Sequence, residues 1–156
     1  MTVNLLLFTF VLITLTINSS SDQYQIKPTG TNVFAKLDYD KVVAYKYNGE
    51  NGIEIINKEN GQLASKIKTR VVLDESKAIN ITNYLCDKSS YGGDIAACFD
   101  PHFGLVFYKI NKPVAYLSIC LDCNYLVASV RISGSENGFS VKGISSILAF
   151  ENQIGF

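Results

Sequence analysis

The sequence predicts an α+β domain, an antiparallel sheet carrying two helices on one face. Three observations predict it. Between Asp38 and Ile132 the chain repeatedly alternates apolar and polar residues in short runs closed by Gly- and Asn-bearing turns, the pattern of half-buried strands. Two segments, after Asp74 and after Ser140, instead space their apolar residues three and four apart, as one face of a helix requires. The strands also come in runs broken by single helices, which favours antiparallel pairing over alternating βα units.

Taken in order, "DYDKVVAYKY" (38–47) alternates into a first strand, "NGENG" turns the chain, "IEII" (53–56) is a second strand, and "NKENG" turns it again before a third at 63–72. That is a three-stranded meander. Asp74 offers a helix N-cap with Glu75 in the first turn, and Ala78, Ile81 and Leu85 fall on one buried face of a helix over 74–87. The loop "KSSYGGD" leads to three more strands, at 104–109, 114–120 and 125–132. After "SGSENG", Ser140 caps a final helix that turns Ile144, Ile147 and Leu148 inward. The order βββα occurs twice, which raises an internal duplication.

Length and composition fit one domain. The chain has 156 residues, of which 47% are hydrophobic, enough for a sizeable core. Fourteen basic residues balance fourteen acidic ones, so no electrostatic case exists for nucleic acid or an anionic membrane surface. The expected partner is a protein or a small-molecule ligand. Residues 5–17, "LLLFTFVLITLTI", carry no charge and are followed by "NSSSD". The run is short for a membrane span and suits the apolar region of a secretory signal, although "MTVN" before it lacks a basic residue. The expected division is a signal peptide at 1–20, a flexible polar arm at 21–32 and the domain at 33–156, with export to the periplasm or medium and no membrane span after cleavage. Two glycosylation sequons, at Asn18 and Asn80, are discounted: the lysine-, Asn- and Ile-rich composition points to an AT-rich bacterial source.

Four cysteines, Cys86, Cys98, Cys120 and Cys123, follow the apolar run. In an oxidising compartment all four are disulfide candidates. A hairpin turn at Asn111 and Lys112 would put Phe103 opposite Cys120 and Asp100 opposite Cys123, gathering Cys98, His102, Cys120 and Cys123 at the open end of one strand pair. Three sulfurs and an imidazole match a tetrahedral zinc site in number and type. The same sulfurs could instead staple the fold or cycle between thiol and disulfide, although Asp122 inside the Cys-x-x-Cys opposes an acidic thiol. Within the staple reading, Cys98 pairs with Cys120 or Cys123, because the Cys-x-x-Cys can close on itself only if the backbone turns there. Cys86 is then left single or takes Cys98. His102 lacks an identifiable carboxylate or amide partner at motif spacing, so it makes a poor general base. "SSYGGD" lacks the Lys of a phosphate loop.

The stretch "CFDPHFGLVFYKINKPVAYLSICLDC", residues 98–123, resembles the signature of a group of small bacterial exported proteins with no assigned activity: a Cys, two residues, Pro-Arg-His, an aromatic strand ending Phe-Tyr, a turn, then Ile-Cys-x-x-Cys. The resemblance implies export and a shared architecture, with helices where this chain has them after Asp74 and Ser140. Pro101 matches, but His102 stands where the group has Arg and Phe103 where it has His. A one-residue displacement moves a side chain to the other face of a strand. Cys86 is an addition to the pattern. The functional expectation is an exported, non-enzymatic binding module stapled by disulfide and needing no cofactor, with zinc-type metal binding and thiol–disulfide redox chemistry as alternatives.

Overall fold

A computed structural model describes Thr29 and residues 31–156. The expected signal peptide and most of the expected arm lie outside these residues. The end of the arm is docked on the domain. Thr29 donates its backbone N–H to Asn83 Oδ1 at 3.0 Å, and the buried Asn32 amide reaches Thr82 Oγ1 and Asn83 Oδ1, each at 2.9 Å. Asn32 also caps the short 3-10 turn Val33–Lys36.

The α+β class is as the sequence predicts. Five strands form one antiparallel sheet in the order β2 (Ile67–Leu73), β1 (Lys41–Tyr47), β4 (Phe103–Lys109), β5 (Lys112–Cys120) and β6 (Tyr125–Ala128). A small second pair joins β3 (Tyr91–Gly93) to β7 (Gly138–Phe139). Helices α1 (Glu75–Cys86) and α2 (Val141–Gln153) lie on one face of the main sheet, where Ala78, Ile81, Leu85, Ile147 and Phe150 join Ala44, Leu105 and Leu117 in a continuous core. No helix among the described residues is long and apolar enough to cross a membrane.

Helix α1 forms for the expected reasons. Asp74 Oδ1 accepts the Lys77 N–H at 2.8 Å, satisfying one of the first-turn donors, and Ala78, Ile81 and Leu85 are the buried stripe. Helix α2 starts at the expected cap, with Ser140 Oγ accepting the Gly143 N–H, but its inward face is rotated. Ile147 is buried and Ile144 half-buried, whereas Leu148 is 46% exposed and Phe150 goes inside instead. Gly143 explains the rotation: a Cβ there would stand 2.2 Å from the Ser90 carbonyl oxygen, so the helix presses this residue onto the backbone of Ser90. The buried positions then follow as 143, 147, 150 and 154.

The expected meander is not formed. Strand β1 pairs directly with β2, and "IEII" lies outside the sheet with one isolated bridge, Ile56 to Leu63. The reason is burial on both faces. Strand β4 is buried from Phe103 to Tyr108 without interruption, so the face opposite the helices also needs a cover. The excursion 48–66 supplies it, placing Ile55, Ile56 and Ala64 in a second core with Val43, Tyr45, Tyr47 and Val106. Gly104 admits this approach, since a Cβ there would meet Ile55 Cβ at 2.8 Å. With two sheet strands before α1 and three between α1 and α2, plus β3 and β7, the order does not repeat as βββα twice.

The β4–β5 turn sits one residue earlier than expected. Ile110 and Asn111 both have positive φ, 47° and 62°, the mirror-image turn that suits strand twist, and Lys109 pairs with Lys112. Asp40 Oδ2 accepts the Ile110 N–H at 2.8 Å, and Lys41 Nζ reaches Asn111 Oδ1 at 3.0 Å. A register shift between Phe107 and Tyr108 follows, beside Pro113, and Phe103 lies opposite Ile119, where Cys120 was expected.

Candidate functional site

The sulfur cluster is built where β5 ends. Cys120 is the last residue of the strand, pairs with Tyr125 at the start of β6, and the chain reverses through Leu121–Asp122–Cys123–Asn124 between them. Asn124 makes the reversal possible. Its φ of 53° lies in the left-handed region, which Asn tolerates better than most residues, and its N–H bonds the Leu121 carbonyl at 3.1 Å. The turn draws the Cys120 and Cys123 Cα atoms to 5.2 Å, and the two sulfurs are joined in a disulfide. The expected pairing of Cys98 with Cys120 or Cys123 is therefore corrected. The backbone turn that a self-closed Cys-x-x-Cys needs is present, and sequence reasoning did not foresee it.

The segment 94–102 lies against this turn. Ala96 N–H reaches the Cys123 carbonyl at 3.0 Å, and Asp100 N–H reaches Cys123 Sγ at 3.4 Å, so the backbone is tied to Cys123 on both sides of Cys98. Cys98 itself is exposed and unbonded. Its sulfur and those of the wholly buried Cys120 and Cys123 all lie within 4.8 Å of one another. The excursion 48–66 grips the same segment from the other side. Gly49 N–H bonds the Pro101 carbonyl at 2.9 Å and Asn51 N–H bonds Asp100 Oδ1 at 2.9 Å. A side chain on Gly49 would strike the Pro101 ring at 2.6 Å.

Backbone donors serve both bonded sulfurs. Cys120 Sγ accepts the Cys123 N–H at 3.2 Å, and Cys123 Sγ accepts the Asp100 N–H. Hydrogen bonds of this kind favour the thiolate over the thiol when the bridge opens. The Asn124 amide locks the turn in place by donating to the Asp94 and Phe139 carbonyls at 2.8 and 3.0 Å. Gly93 and Gly138 leave room for it.

The remaining site candidates lie apart. The group within mutual reach consists of the three sulfurs and does not include His102. The His102 backbone completes the sheet, donating to Ile119 O and accepting from Tyr47 N–H, while its exposed side chain acts electrostatically on Glu151. Burial raises the Glu151 carboxyl, and Lys46 and His102 partly oppose that shift. Cys86 is single and buried, its sulfur 3.8 Å from Asn32 Oδ1, and burial pushes its thiol up. Of the two fates expected for Cys86, it takes the unpaired one. The residues missed from sequence are Asn124, whose place directly after Cys-x-x-Cys and before a strand marks a left-handed turn residue, and Gly49 and Asn51, which carry no local sign of contact with residues 100–101.

No known protein family, curated protein or solved structure matches the chain.

Proposed function

We propose that this chain is an exported module that works through thiol–disulfide exchange at its three-cysteine cluster. The observation that carries the reading is an exposed free thiol, Cys98, within 4.8 Å of both sulfurs of a disulfide. In the exchange step the Cys98 thiolate attacks Cys123 Sγ. A Cys98–Cys123 bond forms, the Cys120–Cys123 bond breaks, and its electron pair leaves on Cys120. The proton lost by Cys98 is returned to Cys120 through solvent, so no oxidant is consumed. Cys123 is the sulfur attacked because the backbone around Cys98 is tied to it on both sides. Cys120 can leave as the thiolate because the Cys123 N–H is already donated to its sulfur at 3.2 Å. Export rests on the uncharged run at 5–17, and an oxidising compartment would keep the bridge formed.

Peptide mapping of acid-quenched, alkylated native protein tests this. Wild type should yield both the Cys120–Cys123 and the Cys98–Cys123 links, and Cys98→Ser only the first. A dithiol should reduce the Cys98→Ser bridge about tenfold more slowly, because the exchange route is lost. A single Cys120–Cys123 link, with reduction rates equal in the two proteins, would overturn the proposal. That outcome would leave a second reading, a stapled non-enzymatic interaction module, which the full burial of both bonded sulfurs favours.

A further inference from the structure

We infer that the same three sulfurs, once the disulfide is reduced, form a seat for a single thiophilic d10 metal ion with one coordination position open to solvent. The inference concerns the reduced state and does not rest on the exchange reaction. It begins with the turn. A Cys-x-x-Cys that closes a hairpin, with a left-handed residue after the second Cys, presents two sulfurs on the same side of one loop. Here Cys120 and Cys123 hold Cα atoms 5.2 Å apart, with Asn124 at φ 53°.

The second step is charge. Two thiolates at the end of a sheet need donors, and each sulfur already has one: Cys123 N–H for Cys120 and Asp100 N–H for Cys123. Such outer hydrogen bonds orient metal-bound thiolates and tune them. They come from the main chain, so they survive side-chain movement. The third sulfur comes from a separate segment that is itself anchored, through Ala96 to Cys123 and through Asp100 to Asn51.

Distances then decide whether one ion can reach all three. Thiolates around a tetrahedral zinc ion, with bonds of about 2.3 Å, stand about 3.8 Å apart. The Cys98 sulfur needs to close by no more than about 1 Å from its limit of 4.8 Å, and the reduced pair needs to open. Reduction takes two electrons and two protons from a dithiol, which becomes the oxidised partner. Metal binding then releases protons from the thiols. The donor set contains sulfur alone, which selects zinc or cuprous ions over calcium or magnesium. Three protein ligands leave a fourth position, and the exposure of Cys98 puts the cluster within reach of solvent, the arrangement of an exchangeable site and not of a closed structural one.

The test uses the full chain, reduced anaerobically with a dithiol that is then removed, and titrated with cobalt(II) as the probe. One equivalent should bring thiolate-to-cobalt charge-transfer absorption and tetrahedral ligand-field bands, and one equivalent of zinc should abolish them. Cys86→Ser should leave the titration unchanged. Cys98→Ser, Cys120→Ser and Cys123→Ser should each weaken binding by more than the roughly 10- to 100-fold typical of lost outer partners. Where a variant fails to fold, peptide-resolved alkylation of wild type decides: zinc should shield Cys98, Cys120 and Cys123 together. A reduced wild type without charge-transfer bands, or shielding confined to Cys120 and Cys123, would overturn the inference. Because no disulfide is present in this assay, its failure is separate from a failure of exchange.

Discussion

The two faces of the five-stranded sheet are covered by opposite kinds of chain. On one face, α1 and α2 lay down regular stripes, with Ala78, Ile81 and Leu85 from the first and Ile147 and Phe150 from the second. On the other face, the irregular segment 48–66 puts Ile55, Ile56 and Ala64 into a core with Val43, Tyr45 and Val106. These side chains of both covers are buried, none more than 8% exposed. They differ in what else they do. The helical cover contributes no residue to the sulfur cluster, whereas the irregular cover reaches past the sheet edge and holds the 98–102 segment through Gly49 and Asn51. A helix satisfies its own backbone groups, but an irregular segment must spend its N–H donors on neighbours. Those donors are what position the loop bearing Cys98.

The comparison is broken most directly by removing one residue from the helical cover. Leu85 is 1% exposed, and Leu85→Ala should cost about 2–5 kcal/mol of stability in urea unfolding. The cysteine reactivity of the folded protein should not change. A loss near zero would mean that α1 is not the cover, and altered Cys98 reactivity would mean that the two faces are coupled.

A smaller effect sharpens the other side. Gly104→Ala would press a methyl group onto Ile55, and overpacking of this kind costs about 1–3 kcal/mol. The double variant with Ile55→Ala should lose less than the sum of the two single losses, because the residues share one contact. Strict additivity would show that Ile55 does not sit on Gly104. The lost cover should also loosen the 98–102 segment, seen as faster alkylation of Cys98 in Gly104→Ala than in Leu85→Ala.

The same contrast explains what the sequence could tell. Helix α1, both N-caps and the strands β4 and β5 are legible because each repeats a period or places a capping side chain at a fixed offset, as Asp74 and Ser140 do. The excursion 48–66 has no period, so "IEII" imitates a strand by composition alone, and its buried status depends on Gly104, about a third of the chain away. Convergence of Cys98, Cys120 and Cys123 is legible from a hairpin that brings its two ends together, and it survives a one-residue error in register. The bond between Cys120 and Cys123 is not, because it depends on the conformation of Asn124. The one-residue error itself arises at Ile110, a residue poorly suited to positive φ, which Asp40 holds there by accepting its N–H from 70 positions away.

The smallest expected effect belongs to the helical cover alone, at the joint between its two helices. Asp87 follows α1, caps the short turn after it through the Ser89 N–H, and meets Lys142 Nζ of α2 at 3.0 Å. The Ser89 backbone N–H and then Lys142 hold its carboxyl down at about 2. A carboxyl depressed in the folded state adds stability above its unfolded value of about 3.9, and that stability is lost as the pH falls through the folded value. The group is largely solvent-exposed, so the contribution is below about 1 kcal/mol. Asp87→Asn should therefore be slightly less stable than wild type at pH 6, and the gap should shrink between about pH 4 and pH 2 as wild type takes up the proton. Because the joint ties α1 to α2 and touches nothing of the 48–66 cover, amide exchange in this variant should quicken at 87–90 and the start of α2 and stay unchanged at Ile55 and Ile56. A gap that persists undiminished at pH 2, or exchange that quickens on both faces, would show that Asp87 acts through something other than its charge on this joint.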